Sequence, residues 1–375
     1  IMAHAKLSAS SSARWLNCTA SVEQVSKYPN TSSPAAMEGT AAHELGDICL
    51  SDFNKSPTDF LGKSLFDEPT IIINAEMILH IQDYVDYVKS YMTSNSNLMV
   101  EAKVSYSDYA HQGFGTSDVV LINDDTCHII DLKYGRGISV DAENNTQLML
   151  YALGVYQEFY FKYDFKHFEL HIFQPRTNNI TQFYISLADL LAFGEKVKKA
   201  SWDIMNDSTT YSPSDKACQW CPHKGNCNAL QSHTEKVIGS EFDDLTLSPV
   251  EIVDYQLILD NKSLIESWLK AVEEVAFDKL SNDETVKGYK LVQGRSTRRW
   301  NDTEQAAQRL EFQFGEKAFT KKIISPTQAE KLYTKSEFND IAEFITKPAG
   351  KPTLAKQSDK RNSITNCNDD FEVLK

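Results

Sequence analysis

No apolar run in this chain approaches the roughly 20 residues that a membrane span needs. The opening residues, Ile1-Met2-Ala3-His4-Ala5-Lys6, hold nothing like the apolar centre of a secretory leader. A soluble, cytoplasmic protein is therefore expected. Internal repeats of the kind that build solenoids are missing too. Positive charge is in deficit: 38 Lys and Arg stand against 52 Asp and Glu, for a net charge of −14. That argues against a protein that coats nucleic acid by charge alone, though it leaves room for a local basic track. Cysteine is sparse, seven in all and unevenly spread. In a reducing cytosol a tight cysteine cluster is more often a metal or redox site than a set of disulfides.

The 375 residues are more than one small core requires and suit two domains. Residues 7–20 predict a short helix around Trp15. A second helix runs from Pro34 to about Phe53, and a third spans 71–93, with Met77, Ile81, Tyr84 and Val88 at helical spacing. Strand-like alternation follows at Leu98–Ser105, Gly115–Ile122 and Thr126–Lys133, the last two split by Asn123-Asp124-Asp125. A helix over Ala142–Tyr160, strands at His167–Phe173 and Thr181–Ser186, and a long helix to Met205 come next. The expected fold class is α/β (α+β), with a small central mixed sheet flanked by helices. Beyond Ser240, helices are expected at 249–280, 302–314, 326–334 and 337–346, and a strand at 288–292. The expected domains are 1–235, a mainly helical accessory domain 236–346, and a basic tail 347–375.

A tight turn centred between Asp124 and Asp125 pairs residues whose numbers sum to 249, which sets Asp118 opposite Asp131. Cross-strand partners share a face, with Cβ atoms about 5 Å apart. Lys133, two residues beyond Asp131, shares that face. Apolar neighbours (Val119, Val120, Leu121, Ile129, Ile130, Leu132) predict burial, and buried charges need partners. An isolated D-x-K is more often a salt-bridged hairpin face. With support, the same set suits phosphodiester cleavage. Carboxylate oxygens bind Mg²⁺ or Mn²⁺, the cation activates water, and the lysine orients that water or stabilises the transition state.

Support lies on two helices. Gln147 and Tyr151 share a helical face and can steer the lysine or a substrate strand. His43 sits on a helix of small residues that can approach the sheet closely, where an imidazole can complete a metal shell. Glu101 on the first strand is a further carboxylate candidate.

Together, Gly39-x-x-x-His43, Gly115-Thr-Ser-Asp118, Asp131-Leu-Lys133 and Gln147-x-x-x-Tyr151 resemble the RecB-like branch of the PD-(D/E)XK nucleases over residues 8–230. The resemblance implies a metal held by His43, Asp118, Asp131 and the Leu132 carbonyl, with Lys133 catalytic. The wider chain is similar to phage-encoded proteins of this nuclease type, through Gly288-Tyr-Lys-Leu-Val, Gly294-Arg-Ser and Ser358-Asp-Lys-Arg361. That implies a phage or prophage replication–recombination setting inside a bacterial host. A phage single-strand-binding or annealing protein is the partner such a setting suggests, and a homo-oligomer is compatible with it.

Cys218-x-x-Cys221-x₅-Cys227 is a tight three-cysteine cluster. Zinc or a cubane cluster requires a fourth ligand, and Cys18 is the natural candidate. Zinc completed by Cys18, His223 or His233 is the rival, although zinc ribbons usually pair two C-x-x-C units. One cysteine before the nuclease motifs and three after them is the layout of AddB-like and CRISPR-adaptation nucleases. That resemblance implies a structural [4Fe–4S] cluster. For DNA contacts, Arg176 follows a strand end, while Lys287, Arg295, Arg298 and Arg299 lie in a basic stretch with Trp300. Such a stretch suits single-strand binding or a solvated face. Two functions follow: a metal-dependent exonuclease acting on DNA ends or single strands, or a DNA-binding or assembly subunit with a nuclease fold.

Overall fold

A computed structural model describes residues 5–29, 34–65, 71–239, 255–291 and 303–314. The chain divides into two compact units, 1–292 and 293–375. The expected helices at 326–334 and 337–346, the tail 347–375, and Arg295, Arg298 and Arg299 lie outside the described residues.

The first unit opens with α1 (Ser12–Asn17), α2 (Ser21–Val25), α3 (Pro34–Ser51) and α4 (Ala75–Ser90). The α4 start is set by Asn74, whose side chain accepts the Met77 N–H. Three strands follow: β1 (Asn97–Ser105), β2 (Phe114–Asn123) and β3 (Thr126–Leu132). Then come α5 (Thr146–Phe159), β4 (His167–Gln174), β5 (Asn179–Ser186) and α6 (Leu187–Met205). The unit closes with α7 (Asp215–Cys218), α8 (Asn228–Gly239) and α9 (Tyr255–Ser281). In the second unit, α10 covers Thr303–Phe314.

The five strands form one sheet in chain order, β1 to β5. Every neighbouring pair is antiparallel except β3 and β4, which are parallel and joined through α5. A parallel pair needs such a crossover. The alternation of the strands splits the core in two. One face, with Val120, Ile122, Cys127 and Ile129, packs under α5 and α6. The other, with Val119, Leu121, Ile130 and Leu132, packs under α3 and α4. Both faces of the central strands are buried, hence their near-continuous apolar runs.

The β2–β3 register is the expected one: Asn123 pairs with Thr126, and the ladder runs to Val119 opposite Ile130. Asp124 turns the hairpin at φ 50°, a left-handed conformation that Asp tolerates. α5 starts later than the sequence pattern predicts. Asn145 caps it by accepting the Gln147 and Leu148 N–H groups, so 142–145 form its entry turn. The strand expected at 288–292 is not formed over its described part, 288–291. Helices α2, α7 and α8 were not anticipated; they are short or only weakly apolar.

The boundary of the first unit also falls later than 235, because α9 packs on the cysteine segment. Leu264 and Trp268 join Ala217, Cys218 and Leu230 in a small core. Lys224 Nζ donates to Ser267 Oγ at 2.9 Å, and Ser263 Oγ to Asp215 Oδ1 at 2.7 Å. A Cβ at Gly225 would lie 2.6 Å from the Ala271 carbonyl oxygen and 2.8 Å from Val275 Cγ2. Gly225→Ala should therefore cost about 1–3 kcal/mol, seen as a lowered melting temperature in thermal denaturation. An unchanged melting temperature would mean that α9 does not seat there.

Candidate active site

One step beyond the last β2–β3 pair stand Asp118 and Asp131, where the turn arithmetic sets them. The Leu132 N–H donates to Asp118 Oδ2 at 2.7 Å, tying one strand's carboxylate to the other strand's backbone. From α3, His43 brings Nδ1 to 3.2 Å from the same oxygen. Lys133 Nζ lies 2.7 Å from Asp131 Oδ2. Gln147 on α5 accepts from Lys133 Nζ at 3.2 Å, and its Nε2 donates to Asp131 Oδ1 at 3.2 Å and to Tyr151 Oη at 3.2 Å. The Gln147–Tyr151 pair thus does what its i,i+4 spacing allows: it holds the lysine and the second aspartate in place.

Glu101 joins from the neighbouring strand. The β1–β2 ladder pairs Val100 with Val119 and Ala102 with Ser117, and is interrupted opposite Asp118 without a change of register. At the interruption Glu101 adopts φ 48°, a conformation that costs a non-glycine residue free energy and persists where the surroundings impose it. The ligand atoms of His43, Glu101 and Asp118 all lie within 4.8 Å of one another. They line a small cavity with Tyr84 and Leu132.

The electrostatics pull the two aspartates apart. Burial opposes charge on Asp118, but His43, Lys133 and the Leu132 N–H outweigh it and lower its pKa. For Asp131 burial wins, Asp118 adds to it, and Lys133 opposes, so the pKa is raised. Like charges in one buried site behave this way. The shifts of the Lys133–Asp131 pair both point up. Burial works against the Lys133 ammonium, yet Asp131 and Asp118 together hold it charged. Burial works against a charged His43 as well, and Asp118 outweighs it. The Glu101 carboxyl, exposed along part of its length, is raised to about 7 by desolvation and then by Asp118.

Do these residues fit a divalent cation? Asp131 Oδ2 and Tyr84 Oη are both buried without a hydrogen bond, though the former has its ion pair with Lys133. The unpartnered Tyr84 hydroxyl beside three carboxylates and an imidazole matches an oxygen-rich site short of positive charge. His43, Glu101 and Asp118 stand ready as ligands, whereas Asp131 is held by Lys133 and Gln147.

Beside these residues a cleft of about 1210 Å³ opens, with Lys133, Gln147, Lys196, Lys216, Phe193 and Trp220 among its walls. Trp220 is 70% exposed. Arg176 is not free at its strand end: it pairs with Glu38 at 2.7 Å, stacks on Tyr134 at 4.7 Å, and is mostly buried. That ties the start of α3 to the end of β4. Lys287 is exposed in a turn.

Cys18, Cys218, Cys221 and Cys227 line one small cavity, although Cys18 is 200 or more residues from the others in sequence. The two ends are zipped together beside it. The Thr210 N–H donates to Thr19 Oγ1 at 2.8 Å, Gln24 Nε2 to Tyr211 Oη at 2.7 Å, and Tyr28 Oη meets His223 Nδ1 at 3.0 Å. His233 is turned to Asn261 on α9 at 3.1 Å. Burial raises Cys218 to about 11 and Cys221 upward as well. Arg14 is drawn in among them. Burial lowers its pKa, Cys221 and Cys18 oppose that, and its Nε is buried without a partner. Arg14 sits in no spacing that marks it, and the helical spacing of Tyr84 marks it only as part of the apolar stripe of α4.

This is a mixed α/β protein whose sheet buries a carboxylate–lysine hairpin. The chain belongs to the family described as Protein of unknown function (DUF2800), whose model matches residues 4–362.

The charge states above bear on stability. The His43–Asp118 attraction is complete where His43 is charged in the folded and unfolded chain alike, below about pH 6.5. It is lost as pH rises through the raised His43 value and, in acid, as pH falls through the lowered Asp118 value. In metal-free protein, a double-mutant cycle of His43→Ala and Asp118→Asn should show clear coupling at about pH 6 and little at about pH 9. Equal coupling at both would contradict the assigned charge states.

Proposed function

We propose that this protein is a divalent-metal-dependent DNA nuclease of the PD-(D/E)XK type, acting as an exonuclease on DNA ends or single strands. The observation that carries the reading is the Asp118–Asp131 pair on one hairpin, Asp131 buried and Asp118 17% exposed at its side chain, with Lys133 reaching from Asp131 into an open cleft. The Lys133 side chain is 28% exposed and that of Asp131 only 2%, so the ammonium is presented while its carboxylate stays dry.

His43, Glu101 and Asp118 would hold Mg²⁺ or Mn²⁺, with Asp131 and the Leu132 carbonyl adjacent. When bound, the cation supplies the positive charge that acidifies an attacking water and offsets charge growing on the phosphate. Lys133, kept charged by the two aspartates, donates to a phosphate oxygen or to the water. Gln147 fixes its Nζ so that little reorganisation is needed. Hydrolysis then forms a bond from the water oxygen to phosphorus and breaks one ester P–O bond, the leaving oxygen taking up a proton. Trp220, Phe193, Lys196 and Lys216 give the cleft aromatic and positive groups that suit an unpaired strand, beside the acidic Asp141, Glu143 and Asp189.

The cysteine cavity reads as the seat of a structural [4Fe–4S] cluster. The four thiols come from both ends of the domain and include one C-x-x-C unit, whereas zinc ribbons usually pair two, which favours the cluster over a single zinc. The orphaned Arg14 Nε fits a cluster that carries net negative charge. Hydrolysis needs no electron transfer, so the cluster's part is to join the two ends of the domain. A phage replication–recombination role, a single-strand-binding or annealing partner and a cytoplasmic setting follow from this reading.

Two measurements test it. End-labelled single- and double-stranded DNA incubated with anaerobically purified protein and Mn²⁺ should be degraded, with polarity shown by the label lost first. Asp131→Ala should abolish cleavage, and Lys133→Ala should slow it by on the order of 10²-fold or more. Failure of folded, metal-loaded wild-type protein to cut would favour the DNA-binding or assembly subunit. Separately, Cys221→Ser should give colourless, less stable protein without the broad visible absorbance of the wild type; a stable brown variant would refute the cluster.

A further inference from the structure

On the opposite face of the strand that carries Asp131 lies a second constellation. Alternation along β4 places Glu169 and His171 on the face under α4, and the parallel register sets His128 of β3 beside Glu169. His128 and His171 are buried, while Glu169 keeps 34% of its side chain open. His128 Nδ1 lies 3.2 Å from His171 Nε2 and 3.3 Å from Glu169 Oε2. His171 Nε2 lies 3.8 Å from the same carboxylate oxygen.

Three lone-pair atoms therefore converge on one point. A proton on His128 Nδ1 has to be divided between two acceptors, and one on His171 Nε2 leaves the carboxylate facing a bare nitrogen. A cation satisfies all three. Separations of 3.2, 3.3 and 3.8 Å compare with about 3.3 Å between ligands held tetrahedrally at 2.0–2.1 Å. The rings stay uncharged, as ligation requires: burial and then His128 lower His171 to about 3, and burial lowers His128. Glu169 supplies the negative charge.

Groups around the site also match. Tyr87 Oη sits 2.9 Å from His171 Nδ1 and accepts from Gln182 Nε2 at 2.9 Å. A partner on the outer ring nitrogen orients a metal-binding imidazole. The Tyr91 ring packs against both histidines, with centroids at 5.2 and 4.9 Å. Asn123 Nδ2 faces His128 Nε2 at 3.3 Å while also donating to the Tyr91 carbonyl at 2.9 Å. Ligation through Nδ1 puts the proton on Nε2, so loading requires this amide to turn its oxygen inward and give up the bond to Tyr91.

We infer that His128, Glu169 and His171 form a binding site for one divalent transition metal of zinc type, with the solvent side of Glu169 left for a water or small anion. Two imidazoles and one carboxylate select such an ion over Mg²⁺. The site stands independently of the nuclease reading. It would fasten β3 to β4 beneath the C-terminal turn of α4 and so stiffen the strand that carries Asp131.

Co²⁺ is the probe, because its visible spectrum separates ligand sets. Titration of the full-length wild-type protein should show ligand-field bands of a nitrogen–oxygen site, apart from the charge-transfer bands of any thiolate-bound ion. Glu169→Gln preserves size and leaves both histidines in place, so it should fold like the wild type while binding this ion at least tenfold more weakly. Thiolate bands should be the same in both proteins. Zn²⁺ should raise the melting temperature of the wild type more than that of Glu169→Gln. Equal Co²⁺ affinity and spectra in the two proteins, or no ligand-field bands in the wild type, would overturn the assignment.

Discussion

Two neighbouring carboxylates, one fully buried and the other mostly so, are the constraint around which this fold is arranged. Asp118 and Asp131 cannot both be charged in a dry sheet without something positive between them. Each surrounding element answers that need. α3 brings His43, the backbone of β3 donates to Asp118, Lys133 leans back onto Asp131, and α5 sets Gln147 against both the lysine and the aspartate. Burial, and then the neighbouring Asp118, raise Asp131 and Glu101, and a divalent cation would offset both.

Such an arrangement trades stability for readiness. Replacing buried ion pairs with apolar side chains of similar volume is often neutral or stabilising, and a glutamate at positive φ adds local strain. The chain offsets this with two large apolar layers on either face of the sheet, so the strained positions are braced from both sides.

Much of this was legible in the sequence, where local rules operate. A short turn with a definite centre dictates the β2–β3 register, and the register places Asp118 and Asp131; alternation then places Lys133. The late start of α5 was not legible from apolar spacing, because Asn145 decides it by capping. Nor was the seat of α9, since Leu264 and Trp268 find partners that are remote in sequence. Arg176 read as an exposed cation from its position after β4, but Glu38, 138 residues away, had already claimed it. The histidine pair on β3 and β4 shows the same limit. The alternation His167-Phe168-Glu169-Leu170-His171 puts three polar side chains on one face, but only the parallel pairing with His128 brings a fourth beside them.

The seam beside the cysteines has a consequence for how the chain is made. Residues 18–28 are held against 210–226, so a stretch containing every residue of the carboxylate site is enclosed between two segments that meet only late. During synthesis His43, Asp118, Asp131 and Lys133 all emerge before Cys218, Cys221 and Cys227. A nascent chain thus carries its complete chemical apparatus while its ends are still unfastened, and the seam can close only after every residue of the carboxylate site has emerged. The order of residues makes a prematurely terminated product an open one.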